Sequence, residues 1–147
     1  MTTTIHTCAV EFEGLCVHRQ LHQAQRGHDF YPPKSENLPA LLSTENTPVM
    51  KRIVIAHYFG PSQDWWLFEL DPRTGIGYGV TNFGNPDNDD WGDIWLPEIE
   101  AAQLNAVING QIFRGALVFE RDCYWRPRPV SEIPSLMKFH RSWWDEG

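Results

Sequence analysis

The stretch "KRIVIAHYFGPSQDWWLFELDPRTGIGYGVTNFGNP", residues 51 to 86, decides the fold. Its first part, with Met50, is a near-continuous apolar run closed by Gly60-Pro61, which reads as a buried strand. "DWWLFELDP" is a second strand, ended by Asp71-Pro72. "GIGYGVTNFGNP" is a third, and its glycines predict twist, a bulge or close backbone approach. Turns this short between strands predict antiparallel neighbours.

Reading outward, "WGDIWLP" predicts a fourth short strand, and "PEIEAAQLN" predicts a short helix, with Pro97 at a favourable first position and acids in the first turn. "GALVFERDCYW" reads as a long last strand. Its odd row, Leu117, Phe119, Arg121, Cys123 and Trp125, is expected to face in, with Arg121 as an inward charge. A proline-broken tail, "RPRPVSEIP", precedes "SLMKFHRSWWDEG", which fits a closing amphipathic helix. Upstream, "IHTCAVEFEGLCVHRQLHQ" predicts a hairpin around Glu13-Gly14, pairing Phe12 with Leu15 and Val10 with Val17. Leu21 falls on the same apolar face, although the second half also fits a helix. Pro32-Pro33 forces an extended link, and a short helix is expected near Leu38 to Leu42. The sum is an α+β fold around a curved, largely antiparallel sheet with a few short helices. It is read as one domain over 1–147, with a hairpin extension at 1–34, a core at 38–127 and a tail at 128–147.

Composition narrows the classes. The chain has 147 residues, 41% of them hydrophobic and seven of them Trp, enough to bury a core. No apolar run is long enough for a membrane helix. No basic region precedes an apolar segment at the N-terminus, so a cytoplasmic location is expected. Three cysteines, Cys8, Cys16 and Cys123, are not a disulfide framework. Net charge is −7. From Asp64 to Glu100 nine acidic side chains stand against one basic, a net of −8. From Arg114 to Arg141 six bases stand against three acids, a net of +3. The acidic middle disfavours binding to phosphate backbones and suits a basic partner, or serves only solubility.

The order of "LPALLST", "PVMKRIVIAHYFGP", "WWLFELDP", "GYGVTNFGN", "WGDIWLPEIEA" and "ALVFERDCYWRP" resembles a small family of unknown function carried on plasmids, integrated conjugative elements and phages. The resemblance runs from Leu38 to Pro127 and rests most on Trp66 to Pro72, Asp93 to Glu100 and Glu120 to Asp122. It implies a mobile-element context, and with it an anti-defence, anti-CRISPR type of role in a bacterial host. It carries no established activity.

Several constellations carry candidate chemistry. "GNPDNDDWGD", residues 84 to 93, matches a calcium loop at Asp87, Asp89, Asp93 and Glu98, but Trp91 occupies a ligand position and Pro97 another template position. An asparagine-rich acidic turn is the plainer reading. His6, Cys8, Cys16, His18, His22 and His28 lack a zinc knuckle, and the hairpin register splits them between faces. No metal or cofactor is expected. No Gly-x-Ser-x-Gly surrounds Ser43 or Ser62, and Cys123 could pair with His57 or be a buried structural thiol. For an acid–base or metal-dependent hydrolase, the candidates are Glu69 and Asp71 with Glu120, Arg121 and Asp122, which could equally form an ion pair that holds register. Weak nucleic-acid binding would use Arg114 and "YWRPRP", with Trp125 for stacking. Trp65 and Trp66 must point to opposite sheet faces, so either both faces are covered, with Trp143-Trp144 as candidate cover, or one ring is a contact anchor. The leading expectation is a non-enzymatic module that meets a basic host surface through Asp87, Asp89, Asp90, Trp91, Asp93 and Trp65. Homodimerisation through the tail aromatics is a further option.

Overall fold

The computed structural model describes residues 10–12, 15–17, 21–33, 38–84 and 90–137, the first two as backbone only. The fold is α+β and mostly antiparallel, as the sequence predicts. In chain order the elements are β1 (Val10–Phe12), β2 (Leu15–Val17), α1 (Gln23–Arg26), β3 (Ile53–Val54), β4 (Ala56–Phe59), β5 (Asp64–Leu70), β6 (Ile76–Asn82), β7 (Asp90–Trp95), α2 (Leu96–Ala101), β8 (Gln103–Ile108), β9 (Gln111–Val118), β10 (Glu120–Arg121), β11 (Arg128–Pro129) and α3 (Pro134–Met137). Single 3-10 turns occur at Val49–Lys51 and Val130–Glu132. No helix among the described residues is long and apolar enough to cross a membrane.

The main sheet has five strands in the order β10-β4-β5-β6-β7. β4 to β7 form a meander, and β10 returns to the free side of β4. The turns follow from local chemistry. Gly60 N–H donates to the Gln63 carbonyl at 2.9 Å, and Asp71 N–H to the Ile76 carbonyl at 2.9 Å. Between Leu67 and Glu69 the register slips by a β-bulge. There the β5 backbone swings toward β6, so that a Cβ on Gly79 would lie 1.9 Å from the Trp66 carbonyl oxygen. The expected close backbone approach at a β6 glycine is therefore this bulge.

Both sheet faces are covered. Trp65, Leu67, Tyr58 and Ile94 pack on one side with Phe30, Tyr31, Ile99 and Phe119. Trp66, Phe68 and Val80 pack on the other with Val49, Val130, Ile133 and Leu136. Consecutive residues of a strand point to opposite faces, which is why Trp65 and Trp66 are both buried, at 7% and 3% exposure. The cover comes from the 28–31 segment and α2 on one side, and from the two 3-10 turns and α3 on the other. Each such buried side chain contributes about 1.5–3 kcal/mol.

Several expectations need correction. The run from Met50 to Pro61 is two strands rather than one. Ile55 separates β3, which pairs with β11, from β4, which pairs with β5 and β10. Leu38 to Leu42 is not helical; the chain turns through residues 41–46, with Leu42 at φ 70°. Helix α2 stops at Ala101, and residues 103–108 form β8, which the sequence reading passes over. β8 and β9 make a separate two-stranded ribbon turned at Asn109-Gly110, with φ of 52° and 80°. Positive φ at both central residues is what a type I′ hairpin turn requires. The strand expected from Gly115 to Trp125 is broken after Val118 and again after Arg121. Cys123 consequently sits exposed in a turn, neither buried nor facing inward. The N-terminal hairpin has the expected register, Val10 opposite Val17 and Phe12 opposite Leu15. Leu21, expected on a core face, is 45% exposed.

Candidate functional site

The proposed acid–base set is dispersed. Glu69 is 2% exposed and holds the 41–46 turn. Its Oε1 accepts the Leu42 N–H at 2.8 Å, and its Oε2 accepts the Thr44 N–H at 3.0 Å and the Thr44 hydroxyl. Those bonds make Glu69 an anchor for a turn that contains no regular structure of its own. Asp71 caps the β5–β6 turn, and the Arg73 backbone N–H, donated to Oδ1 at 3.0 Å, holds its carboxyl below the usual range. Glu120 meets His28 at 3.2 Å. Arg121 does not pair with a carboxylate inside the sheet; its Nε donates to the Asp29 carbonyl at 3.1 Å. Arg121 lies opposite Tyr58, which lies opposite Trp65, so Glu69 is four residues further along and two strands across. At about 3.3 Å per residue and ~4.8 Å per strand, that is well over 10 Å from Arg121.

The sheet instead brings together three residues that the sequence reading did not join. His57 on β4 faces Asp64 through Nε2 at 2.7 Å and Asp122 through Nδ1 at 3.2 Å. Its ring stacks on Trp66 at 5.4 Å and leans on Trp125 at 5.3 Å. An imidazolium donates to both carboxylates, whereas a neutral ring donates to one. Asp122 is itself fixed, because its Oδ1 accepts the Tyr124 N–H at 3.0 Å. With both nitrogens engaged, the ring has none left for Cys123. The arrangement is a clamp that ties β4, β5 and the end of β10. Among the described residues, no group of three or more His, Cys, Asp or Glu could hold a metal ion.

A second polar network is buried near α1. The Arg26 guanidinium, 5% exposed, donates to the carbonyls of Phe119 (2.7 Å), Leu21 (2.8 Å) and Glu100 (3.2 Å) and lies over the Phe30 ring. Burial lowers its pKa, opposed by Glu100 and Glu120. The Glu100 carboxylate accepts the Tyr31 hydroxyl at 3.0 Å and the Leu21 N–H at 3.2 Å. Burial, with the Glu100 charge and hydrogen bond, raises the Tyr31 pKa well above the ordinary phenol range. Burial raises that of Tyr58 too, whose hydroxyl donates to the Phe30 carbonyl at 2.8 Å. These bonds fasten residues 21–33 to the sheet.

A groove of about 410 Å³ lies at the β7 end of the sheet. Its floor is Trp65 and Thr81, paired across β5 and β6, with Asp90 opposite Thr81 on β7. Ile94, Ile99 and Phe119 complete the apolar base. Phe83, 57% exposed, stands in its wall, and Asp90 and Glu98 bring carboxylates to it, while Asp93 and Trp95, at the β7 positions that alternate with Ile94, border it. Gln63 also lines it, and the Gln63 Oε1 atom is buried without a hydrogen-bond partner.

Of the residues expected to meet a partner, Asp90 and Asp93 line this groove, whereas Asp87 and Asp89 lie outside the described residues. Trp91 turns to the other face, beside Phe68 and the Arg52 guanidinium. Trp65 is not an exposed anchor; its ring is packed edge-on against Phe119 at 4.8 Å, and only its margin reaches the groove. Phe83, Trp95 and Glu98, which the sequence does not single out as partner contacts, also line the groove. Trp125 is no open stacking platform, since its Nε1 donates to the Val54 carbonyl at 2.9 Å and Arg128 covers its ring at 4.3 Å. Of the possible zinc ligands, His22 meets the Ala101 carbonyl, His28 meets Glu120, and the remaining side chains lie outside the described set. No protein-family model, no curated protein and no solved structure matches this chain.

Proposed function

We propose that the protein is a non-enzymatic interaction module whose groove at β7 receives a basic segment of a partner protein. The observation that carries this reading is the pairing of an exposed ring with carboxylates in one recess: Phe83 beside Asp90 and Glu98. A guanidinium or ammonium placed there gains cation–π contact and an ion pair together. The −8 charge of residues 64–100 steers a cationic partner toward the same end of the sheet. The resemblance to mobile-element proteins supplies the context, in which the partner is a basic surface of a bacterial nucleic-acid-handling defence complex and binding inhibits it.

The test is a fluorescence titration with a synthetic Arg/Lys-rich peptide and an acidic peptide of equal length. Saturable binding of the basic peptide only, weakened about tenfold or more in Asp90→Asn/Glu98→Gln, is expected. Equal binding by that variant, or none by the wild type, refutes the reading. The inhibitory role is tested separately, by whether expression restores phage plating on a host with an active defence system.

A further inference from the structure

The β8–β9 ribbon is the part of the chain least explained by the groove. Among the described residues it pairs with no other strand, and none of their strands occupies its outer edges. Cross-strand partners share a face. Val107 opposite Ile112 therefore makes one face apolar, and Ala106 opposite Phe113 makes the other apolar. Val107, Ile108, Ile112 and Phe113 are 67%, 56%, 57% and 40% exposed. Open edges in stable monomers are ordinarily protected by charge or proline. Here residues 103–113 contain neither, and Arg114 is the lone charge in 103–118.

We infer that this ribbon is a self-association surface, whose occupant is the same ribbon of a second copy. Charge selects that occupant. A chain of net charge −7 repels itself over most of its surface, and an uncharged arm is where two copies meet without setting acid against acid. A basic partner, which the groove attracts, gains nothing from this arm. A two-fold axis places like strands antiparallel, which is the pairing that open edges accept. The size fits a reversible contact. Eight residues at ~3.4 Å each, on a ribbon about 10 Å wide, give roughly 270 Å² on the face that one second copy covers. A stable interface buries about 800 Å² per partner.

Sedimentation velocity of the full chain, from low to high micromolar concentration without any added peptide, tests this independently of the groove. The mass is expected to rise from 17.0 kDa toward twice that value. Ile112→Lys is expected to remain at 17.0 kDa. The milder double substitution Val107→Thr/Ile112→Thr, which keeps strand propensity, is expected to dissociate about tenfold more readily. Amide exchange in residues 103–118 is expected to slow with concentration in the wild type alone. A wild type that stays monomeric throughout overturns the proposal, as does a double variant that dimerises like the wild type. Slow ribbon exchange at every concentration also overturns it, since the chain itself would then cover the arm.

Discussion

The β5–β6 pair and the β8–β9 ribbon are two antiparallel hairpins of similar length with opposite fates. In β5 every residue from Trp65 to Leu70 is buried, because each sheet face meets a layer of its own. In β8–β9 the distal apolar residues remain in water on both faces. A two-stranded ribbon is marginal by itself, and it is cover that turns strand pairing into stability. The covered pair also tolerates irregularity, carrying a bulge and a buried carboxylate at Glu69. The uncovered one relies on its Asn109-Gly110 turn and on bonds at its base, where Gln25 donates to the Gly115 carbonyl at 2.9 Å.

Substitutions separate the two regions. Gly79→Val should have the largest effect, about 4 kcal/mol of lost stability or no folded protein, because its side chain meets the Trp66 backbone. Urea denaturation checks it. Arg26→Met should cost about 3 kcal/mol by the same measurement, leaving Glu100 buried without its neighbouring charge. Glu69→Gln should cost about 1–2 kcal/mol, because an amide cannot accept all the bonds that the 41–46 turn donates. Alkali acts on the covered region as well. Tyr31 and Tyr58 have raised folded-state pKa values, so their contribution is complete below about pH 10 and falls as pH climbs toward the folded values. Phenolate absorbance from these two should therefore emerge together with unfolding. Ile112→Thr in the ribbon should have the smallest effect, within about 0.5 kcal/mol at low protein concentration. A large loss there would show that the ribbon is covered after all, and would erase the contrast.

The contrast also explains what was legible in the sequence. The meander could be read because Gly60-Pro61 and Asp71-Pro72 punctuate apolar runs, and the close backbone approach because glycines line up on β6, whereas the bulge itself lies on β5. The ribbon was equally marked by Asn109-Gly110 between apolar residues. The helix signals at Pro97 and Glu98, carried on through Ala101 and Ala102, drew the reading past it. Glu69, Arg26 and Glu100 could not be read. Apart from Leu21, five residues before Arg26, their partners lie 25 to 93 residues away, and a charge on a strand or short helix does not announce a distant backbone. The groove was half legible. Asp90 and Asp93 belong to the acidic stretch, but Phe83, Trp95 and Glu98 join them only once β6, β7 and α2 are folded together. His57 was seen as a possible partner for Cys123, and the pairing of β4 with β5 and β10 gave it Asp64 and Asp122 instead.

The central claim is that the acid-walled aromatic groove at β7 binds a cationic segment. The most direct measurement follows the indole N–H signals of the seven tryptophans by NMR during titration with the Arg/Lys-rich peptide. The signal of Trp65, whose margin reaches the groove, should move first and saturate, while Trp66, enclosed on the opposite face, and Trp125, bonded to Val54, should stay still. A Trp65 signal that never moves, or a response confined to Trp125 and the tail tryptophans, would contradict it.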